Sequence, residues 1–197
     1  MLNIGVLISG GGTNLQAIID ETKSGGINGT VKIVISNKKN AYGLERARLS
    51  GIESVYETDE DRIIEILEEK NIDLIVLAGY LKIITTKFVD KFRNKIINIH
   101  PSLIPSFCGK GYYGEKVHQG VIDYGAKITG ATVHFVDEGA DTGAIIMQET
   151  VNVEQNDDVK SLSKRVLEVE HRILKESIRL FCENKLSIQG RRVFINE

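Results

Sequence analysis

The chain has 197 residues, of which 42% are hydrophobic and 26% charged, and these fractions are typical of a folded globular protein rather than a disordered one. Its 25 Lys and Arg residues stand against 27 Asp and Glu residues, so it lacks the basic excess of a general nucleic-acid or anionic-membrane binder. The two cysteines lack metal-site spacing, and we find no signal peptide and no apolar run near the roughly 20 residues that cross a bilayer. We therefore expect a cytoplasmic protein that carries no metal and contacts neither nucleic acid nor membrane.

Strand-like and helix-like segments alternate in the first half of the chain. The strands are the apolar runs 3–9, 31–35, 54–56, 73–78 and 96–99, and the helices begin near residues 13, 44, 61 and 86. Thr13 or Asn14 is placed to cap the first helix. Because the central runs lack polar alternation, both faces of the sheet are expected to be buried under helices. Residues 1–100 therefore predict a doubly wound, Rossmann-like α/β unit.

The second half of the chain predicts a different arrangement. A loop over 101–113 contains both prolines, and a helix over 115–124 follows it. Two strands over 128–136 and 144–151 look antiparallel because a short turn joins them. A long helix from about 159 to 183 closes the unit. With no linker, repeat or low-complexity tract, the prediction is one α/β domain over 1–197 with a mostly parallel, mixed sheet flanked by helices.

The Ser-Gly-Gly-Gly-Thr-Asn segment at residues 9–14 is the first candidate site. It lies between a predicted strand and a predicted helix, where backbone N–H groups that no side chain blocks suit a phosphate. The spacing matches neither the dinucleotide-binding fingerprint nor a Walker A loop. A tight turn without a ligand is the alternative interpretation.

Asn98 and His100 end an apolar strand and form the second candidate site. Two residues apart, their side chains point to the same side of a strand, and the ends of strands are where such sheets bind ligands. A histidine can transfer a proton, and an asparagine amide is a fixed donor for a developing oxyanion. The alternative is a histidine with purely structural hydrogen bonds.

Acidic side chains supply two further candidates. The turn over 137–143 holds Asp137, Glu138 and Asp141, and a carboxylate from it lying against His100 would raise the pKa of that histidine. A solvated Asp- and Gly-rich turn is the alternative. On the long helix, Glu170 could reach a ligand amine or hydroxyl. The remaining histidines, His118, His134 and His171, are interpreted as structural.

These features, in this order and spacing, resemble a known enzyme family. The segments Ser-Gly-Gly-Gly-Thr-Asn-Leu-Gln at 9–16, Leu-Ala-Gly-Tyr-Leu at 77–81, Asn-Ile-His-Pro-Ser-Leu-Ile-Pro at 98–105 and Val-His-Phe-Val-Asp-Glu-Gly-Ala-Asp-Thr-Gly at 133–143 are similar to the phosphoribosylglycinamide formyltransferases of the formyltransferase superfamily. The resemblance implies transfer of the formyl group of 10-formyltetrahydrofolate to the amine of glycinamide ribonucleotide in purine biosynthesis. It covers residues 1 to about 185.

The resemblance also implies roles for individual residues. The catalytic set is Asn98, His100 and Asp141, with Asn98 and protonated His100 stabilising an oxyanion and Asp141 keeping the imidazole charged. The ribonucleotide contacts are Gly11, Gly12, Thr13, Asn14 and Glu170. The folate pocket is lined by Leu81, Lys82, Ile83, Ile84, Asn98, Asp137, Glu138, Gly139, Ala140 and Asp141. In this scheme 1–100 is the phosphate-binding half, and 101–197 binds folate and closes the domain.

Two departures from the family pattern stand out. The region 56–62, where relatives place a folate-binding arginine, looks shortened, which leaves Arg62 as the nearest counterpart. In the loop over 107–113, Cys108-Gly109 replaces a Pro-Gly pair.

The alternatives are other classes of protein. Formyltetrahydrofolate hydrolase and methionyl-tRNA formyltransferase carry an additional N-terminal or C-terminal domain that we do not expect here. A nucleotide-binding module without catalysis is a third possibility. A dehydrogenase is disfavoured because Ser-Asn-Lys-Lys at 36–39, rather than an acidic residue, follows the second strand.

Overall fold

The computed structural model describes residues 1–196, and these form nine strands and six helices. The strands are β1 (Leu2–Ile8), β2 (Gly29–Ser36), β3 (Glu53–Tyr56), β4 (Leu74–Leu77), β5 (Ile96–His100), β6 (Ile128–Phe135), β7 (Ile145–Asn152), β8 (Leu186–Gln189) and β9 (Arg192–Ile195). The helices are α1 (Thr13–Ser24), α2 (Tyr42–Leu49), α3 (Glu60–Glu69), α4 (Thr86–Lys91), α5 (Glu115–Tyr124) and α6 (Val159–Cys182).

All nine strands belong to one sheet with the order β3-β2-β1-β4-β5-β6-β7-β9-β8. The pairs from β3 to β5 are parallel, whereas β6 is antiparallel to both β5 and β7. The predicted α/β class, the parallel first half and the antiparallel β6–β7 pair are confirmed. The β8–β9 hairpin at the end of the chain was not predicted, although Leu186 and Ile188 alternate with polar residues before the turn at Gly190.

Alternating side chains of the sheet feed two hydrophobic cores. On β4, Leu74 and Val76 pack into the core under α1, α2, α5 and α6, while Ile75 and Leu77 face the core under α3 and α4. A strand buried on both faces has no place for polar residues, which explains the continuous apolar runs.

The strand order also places a crevice in the sheet. The chain builds outward from β1 to β3 and then returns to β4 on the other side of β1, so the loops after β1 and β4 diverge from neighbouring strands. Ligands of open α/β sheets bind where the order reverses in this way. The N–H of Ser9, after β1, donates to the carbonyl of Gly79, after β4, over 3.0 Å. The two loops are thereby joined at the base of the crevice.

Candidate active site

A cleft of about 590 Å³ opens at the carboxyl ends of β1, β4 and β5. The lining comes from the loop after β4, the end of β5, the loop before α5 and the turn between β6 and β7. One residue each of α1, α5, β6 and α6 completes it. Residues from both halves of the chain therefore form its walls. Its position matches the expectation that ligands bind at the ends of the strands.

The glycine loop after β1 leads directly into α1. The helix starts at Thr13, and its N-cap residue is Gly12, which has φ +71° and no side chain to cap the helix. The expectation that Thr13 or Asn14 caps α1 is therefore wrong. A side chain at Gly12 would also collide with the Cα of Gly43 at 2.8 Å, because α2 packs tightly against the loop. Without a side-chain cap, the first-turn N–H groups remain suited to an anion.

Arg46 on α2 braces this loop from behind. Its Nε donates to the carbonyl of Gly11 over 2.7 Å, and the N–H of Gly43 donates to the carbonyl of Gly10 over 3.1 Å. With these carbonyls held on the α2 side, the loop conformation is set before any ligand arrives. No local sequence pattern indicates Arg46, because its role depends on how α2 docks.

Asn14 and Glu170 meet inside the cleft although 156 residues separate them. The Asn14 amide Nδ2 donates to Oε2 of Glu170 over 2.7 Å, and both side chains are buried and line the cleft. Burial raises the pKa of Glu170 to about 7, and the Asn14 hydrogen bond opposes this rise. A carboxyl group poised in this way can bind hydroxyl or amine groups. His171, its neighbour on α6, is not part of the cleft lining.

Of the expected ribonucleotide contacts, Asn14 and Glu170 line the cleft directly. Gly11, Gly12 and Thr13 precede Asn14 in the chain but are not part of the lining.

Asn98 and His100 both line the cleft from the end of β5. Asn98 lies opposite His134 in the β5–β6 register, and its Nδ2 is 3.1 Å from Nε2 of that histidine. The other ring nitrogen of His134 is 2.8 Å from the carbonyl of Phe135, so Nδ1 carries the proton and Nε2 accepts from Asn98. His134 thus orients the Asn98 amide, whose second N–H remains for a ligand.

Asp141 faces both histidines from the turn between β6 and β7. Its Oδ2 is 3.6 Å from Nδ1 of His100, and its Oδ1 is 3.6 Å from Nε2 of His134. These distances are longer than direct hydrogen bonds. Oδ2 accepts one from the N–H of Gly109 over 2.8 Å. Burial alone would raise the pKa of Asp141, but the pKa is lowered, because the Gly109 N–H donates to the carboxylate and a protonated imidazole of His134 or His100 would favour its charged form.

Burial and the Asp141 carboxylate act on His100 in opposite directions. Its Nε2 is 2.9 Å from the carbonyl of Phe107, to which it donates, so Nδ1 is the nitrogen that faces Asp141. Burial lowers the pKa of His100 below its usual value, and the Asp141 carboxylate, which raises it, offsets this only in part. Asp141 therefore acts on the pKa of His100 in the expected direction, but burial has the larger effect. Burial thus favours the neutral imidazole, whose Nδ1 faces the carboxylate.

His118 on α5 is a third buried histidine that lines the cleft. Burial and the neighbouring His100 lower the pKa of His118 to about 4, so it stays neutral. Among residues 1–196, its Nδ1 has no hydrogen-bond partner. The sequence by itself favours a structural interpretation of His118 and His134. For His134 the β5–β6 register was the available signal, because it places that residue opposite Asn98.

We divide the cleft into two arms, one lined by Asn14 and Glu170 and the other by the segment 81–84 and the turn 137–141. All nine positions of the second arm line the cleft. The Lys82 ammonium, however, donates to the carbonyl of Thr58 over 2.8 Å, and Glu138 pairs with Arg93. This arm therefore presents a largely apolar wall and a polar turn.

Two other sequence-based questions have structural answers. Arg62 does not line the cleft, since its guanidinium pairs with Glu65 and Glu69 along α3 at 2.7 and 3.4 Å. The structure therefore gives no support to Arg62 as a folate contact. In the loop 107–113, Phe107 has φ +48°, and residues 109–113 line the cleft, so this loop forms part of its wall.

Within residues 1–196, no helix has both the length and the hydrophobicity to traverse a bilayer. The same residues contain no group of three or more His, Cys, Asp or Glu side chains arranged to hold a metal ion.

Comparison with known protein families places the chain. Residues 2–178 match the family model described as formyl transferase, which is most of the chain and contains every cleft residue named above. The chain belongs to the formyl transferase family. The resemblance drawn from the motifs at 9–16, 77–81, 98–105 and 133–143 is thereby confirmed at the level of the family.

Individual members of the formyl transferase family are similar over the whole chain. The phosphoribosylglycinamide formyltransferase of Haemophilus influenzae is 42% identical over 206 aligned residues, which cover 100% of this chain and 94% of that protein. The chloroplastic phosphoribosylglycinamide formyltransferase of Vigna unguiculata is 40% identical over 93% of this chain, which spans only 62% of the plant protein. Among solved structures, glycinamide ribonucleotide transformylase 1 from Symbiobacterium toebii has a TM-score of 0.94 at 44% identity, with 100% of this chain and 95% of that one covered.

Proposed function

We propose that this formyl transferase moves the formyl group of 10-formyltetrahydrofolate to the primary amine of glycinamide ribonucleotide. The products are formylglycinamide ribonucleotide and tetrahydrofolate, as a cytoplasmic step of de novo purine synthesis. The observation that carries the proposal is that buried His100 lies beside half-buried Asn98 and Asp141 in the lining of one cleft. The relatives named above support the choice of substrates, and residues 1–197 would act as one formyltransferase domain.

The two arms of the cleft suit two different substrates. In this proposal the loop residues Gly11 and Gly12 and the start of α1, with Thr13 and Asn14, hold the ribonucleotide phosphate through backbone N–H groups. Glu170 accepts hydrogen bonds from the same substrate. The apolar segment 81–84 and the turn 137–141 enclose the folate ring system, which presents flat apolar faces and polar edges. The reacting amine and formyl group then meet between the arms, next to His100.

The chemistry follows from the charges that develop in acyl transfer. As the amine nitrogen bonds to the formyl carbon, the carbonyl oxygen becomes an oxyanion, and the free N–H of Asn98 stabilises it. Neutral His100 takes the proton that the amine must lose, directly or through a water bound to Asp141. The resulting imidazolium stabilises the oxyanion, and the Asp141 carboxylate stabilises the imidazolium.

Collapse of the intermediate completes the reaction. The bond from the formyl carbon to the folate nitrogen breaks, and His100 returns the proton to that nitrogen as it leaves. One N–C bond forms and one breaks, with no net change in protons on the enzyme. A neutral histidine beside a carboxylate is suited to both transfers, since it must gain and lose a proton near neutral pH.

The test is formyl transfer from 10-formyltetrahydrofolate with and without glycinamide ribonucleotide. The proposal predicts that tetrahydrofolate release requires the ribonucleotide and yields one formylated product per turnover. The His100→Ala variant, assayed in parallel, should release little tetrahydrofolate with or without glycinamide ribonucleotide. Folate release that does not require the ribonucleotide would instead show a hydrolase, and ligand binding without release would show a binding module.

A further inference from the structure

The C-terminal hairpin formed by β8 and β9 contacts the turn that carries Asp141. The Nη2 of Arg191, in the hairpin turn, donates to the carbonyl of Thr142 over 3.0 Å. Thr142 is the residue directly after Asp141. The hairpin reaches this position because β9 pairs with β7 where Ile145 and Arg192 are in register, at the start of β7. Two sheet-bound segments are therefore linked beside the catalytic cleft.

The turn that carries Asp141 needs stabilising contacts from outside the turn. Asp141 adopts φ +58°, a left-handed conformation that few residues with a side chain adopt, although Asp and Asn tolerate it better than most. Inside the turn, the Asp137 carboxylate accepts from the N–H of Gly139 at 3.1 Å and from the hydroxyl of Thr142 at 2.5 Å. These bonds shape the turn but do not attach it to the sheet.

The position of the turn decides the position of the carboxylate. Asp141 is 3.6 Å from both His100 and His134, and the electrostatic attraction between the carboxylate and an imidazolium falls as this distance grows. Even a small displacement of the backbone at Thr142 would move Asp141 relative to His100. Gly109 and Arg93 contact the side chains of Asp141 and Glu138 from outside the turn, whereas Arg191 holds the backbone itself at Thr142. Arg191 is therefore placed to control the distance within the charge pair.

We propose that Arg191 is a positioning residue that holds the Asp141 turn in its catalytic place by anchoring the Thr142 carbonyl to the C-terminal hairpin. The proposal rests on the proposed function for its effect on turnover. It extends the active-site machinery beyond residues 2–178, the part of the chain that matches the family model. The hairpin then has a role in catalysis although it contributes no residue to the cleft lining.

The neighbouring residue offers a matched control. Arg192 is also exposed and on the same hairpin, but its guanidinium stacks on the ring of Phe194 at 4.8 Å. Arg191→Met and Arg192→Met remove the same charge and keep a similar apolar stem. Only the first removes the bond to Thr142. Arg191→Lys keeps a donor of similar reach and tests whether the bond itself matters.

The first readout is steady-state formyl transfer. With one exposed charge-assisted hydrogen bond lost, we expect kcat of Arg191→Met to fall about 3- to 10-fold. The KM for the ribonucleotide should change less than about twofold, because the Asn14–Glu170 end of the cleft is not attached to this turn. Arg191→Lys should recover part of the loss, and Arg192→Met should match the parent enzyme.

The second readout is the titration of His100, followed through the imidazole proton signals of the four histidines and identified by its absence in His100→Ala. The charged or titratable groups that act on His100 are Asp141, His134 and His118. If Arg191 positions Asp141, the pKa of His100 should drop in Arg191→Met, because its stabilising carboxylate is held less closely. It should not move in Arg192→Met.

The two readouts separate this proposal from the proposed function. Equal kcat and equal His100 titration in Arg191→Met and Arg192→Met would overturn the positioning role, while transfer by the parent enzyme still stands. The parent enzyme could transfer no formyl group while the pKa of His100 shifts in the Arg191 variants alone. That result would overturn the proposed function and leave the positioning role supported. Equal losses of kcat in Arg191→Met and Arg192→Met would show a general effect of the positive charge on the hairpin. That result would also overturn the positioning role.

Discussion

Replacing Asp141 by asparagine separates the charge of this residue from its shape. The side chains have the same size, asparagine tolerates the left-handed φ of +58°, and its amide oxygen can still accept from the Gly109 N–H. What disappears is the negative charge 3.6 Å from Nδ1 of His100. The variant therefore tests whether that charge supports an imidazolium during the reaction.

The expected size of the effect follows from Coulomb's law. At the 3.6 Å separation between Oδ2 and Nδ1, two opposite unit charges attract by about 5 kcal/mol at an effective dielectric constant of about 20. Both charges are spread over several atoms, and solvent reaches part of the carboxylate. We therefore take about 2–3 kcal/mol as the transition-state stabilisation that the variant loses. That corresponds to a fall in kcat of about 30- to 150-fold.

The pH dependence supplies a second, independent signature. Neutral His100 accepts the proton in the proposed mechanism, so activity should fall as the pH drops through its pKa, which lies below the usual histidine value because of burial. Asp141 raises this pKa, and its neutralisation removes that contribution. The acidic limb of the profile should therefore move to lower pH while the plateau falls.

The assay is the rate of formyl transfer to glycinamide ribonucleotide between pH 5 and 9, with Asp123→Asn on the exposed face of α5 as the charge-matched control. The control should reproduce the parent profile. An Asp141→Asn enzyme with kcat within threefold of the parent, or with an unshifted acidic limb, would refute the reasoning that the carboxylate stabilises a charged His100.

Three further variants test other parts of the site. His100→Ala should lower kcat by about a hundredfold or more, as expected for loss of a group that stabilises the oxyanion, and near-normal turnover would eliminate that role. Arg46→Ala should raise the KM for the ribonucleotide about 3- to 10-fold with little change in kcat, because the Gly11 carbonyl loses its brace; a change in kcat alone would contradict this. Glu170→Gln removes a carboxyl group whose pKa rises from 4.5 to about 7 on folding, because burial opposes its ionisation. The free energy of unfolding of the parent should therefore fall by up to about 3 kcal/mol between pH 4.5 and 7. The variant should show no such fall. Urea unfolding at pH 5 and pH 8 measures this difference, and identical pH dependence in both proteins would show that Glu170 ionises freely.

The local patterns of the chain were sufficient to predict most of its fold. Continuous apolar runs such as 74–77 indicated strands buried on both faces, and their alternation with helices indicated a parallel sheet. Asn98 and His100 could be assigned to one side of a strand end because strand geometry has a period of two. These features depend on interactions between residues close in sequence, which is why the sequence alone determined them.

Other features depended on how distant segments pack. Three contacts join residues that are 36 to 156 positions apart in the chain. They are the Asn14–Glu170 pair, the contact of His134 with Asn98, and the hydrogen bond from Arg191 to Thr142. The register of paired strands and the docking of helices set such contacts, and no local pattern encodes them.

The protonation state of His100 shows the difference most clearly. The sequence placed a carboxylate near it and so predicted a raised pKa, and the tertiary structure does bring Asp141 within 3.6 Å. Burial nevertheless outweighs that attraction and lowers the pKa. The sequence by itself determined which chemical groups are present at the site, whereas only the folded structure decided how much water each one loses, and that loss sets the charge it carries.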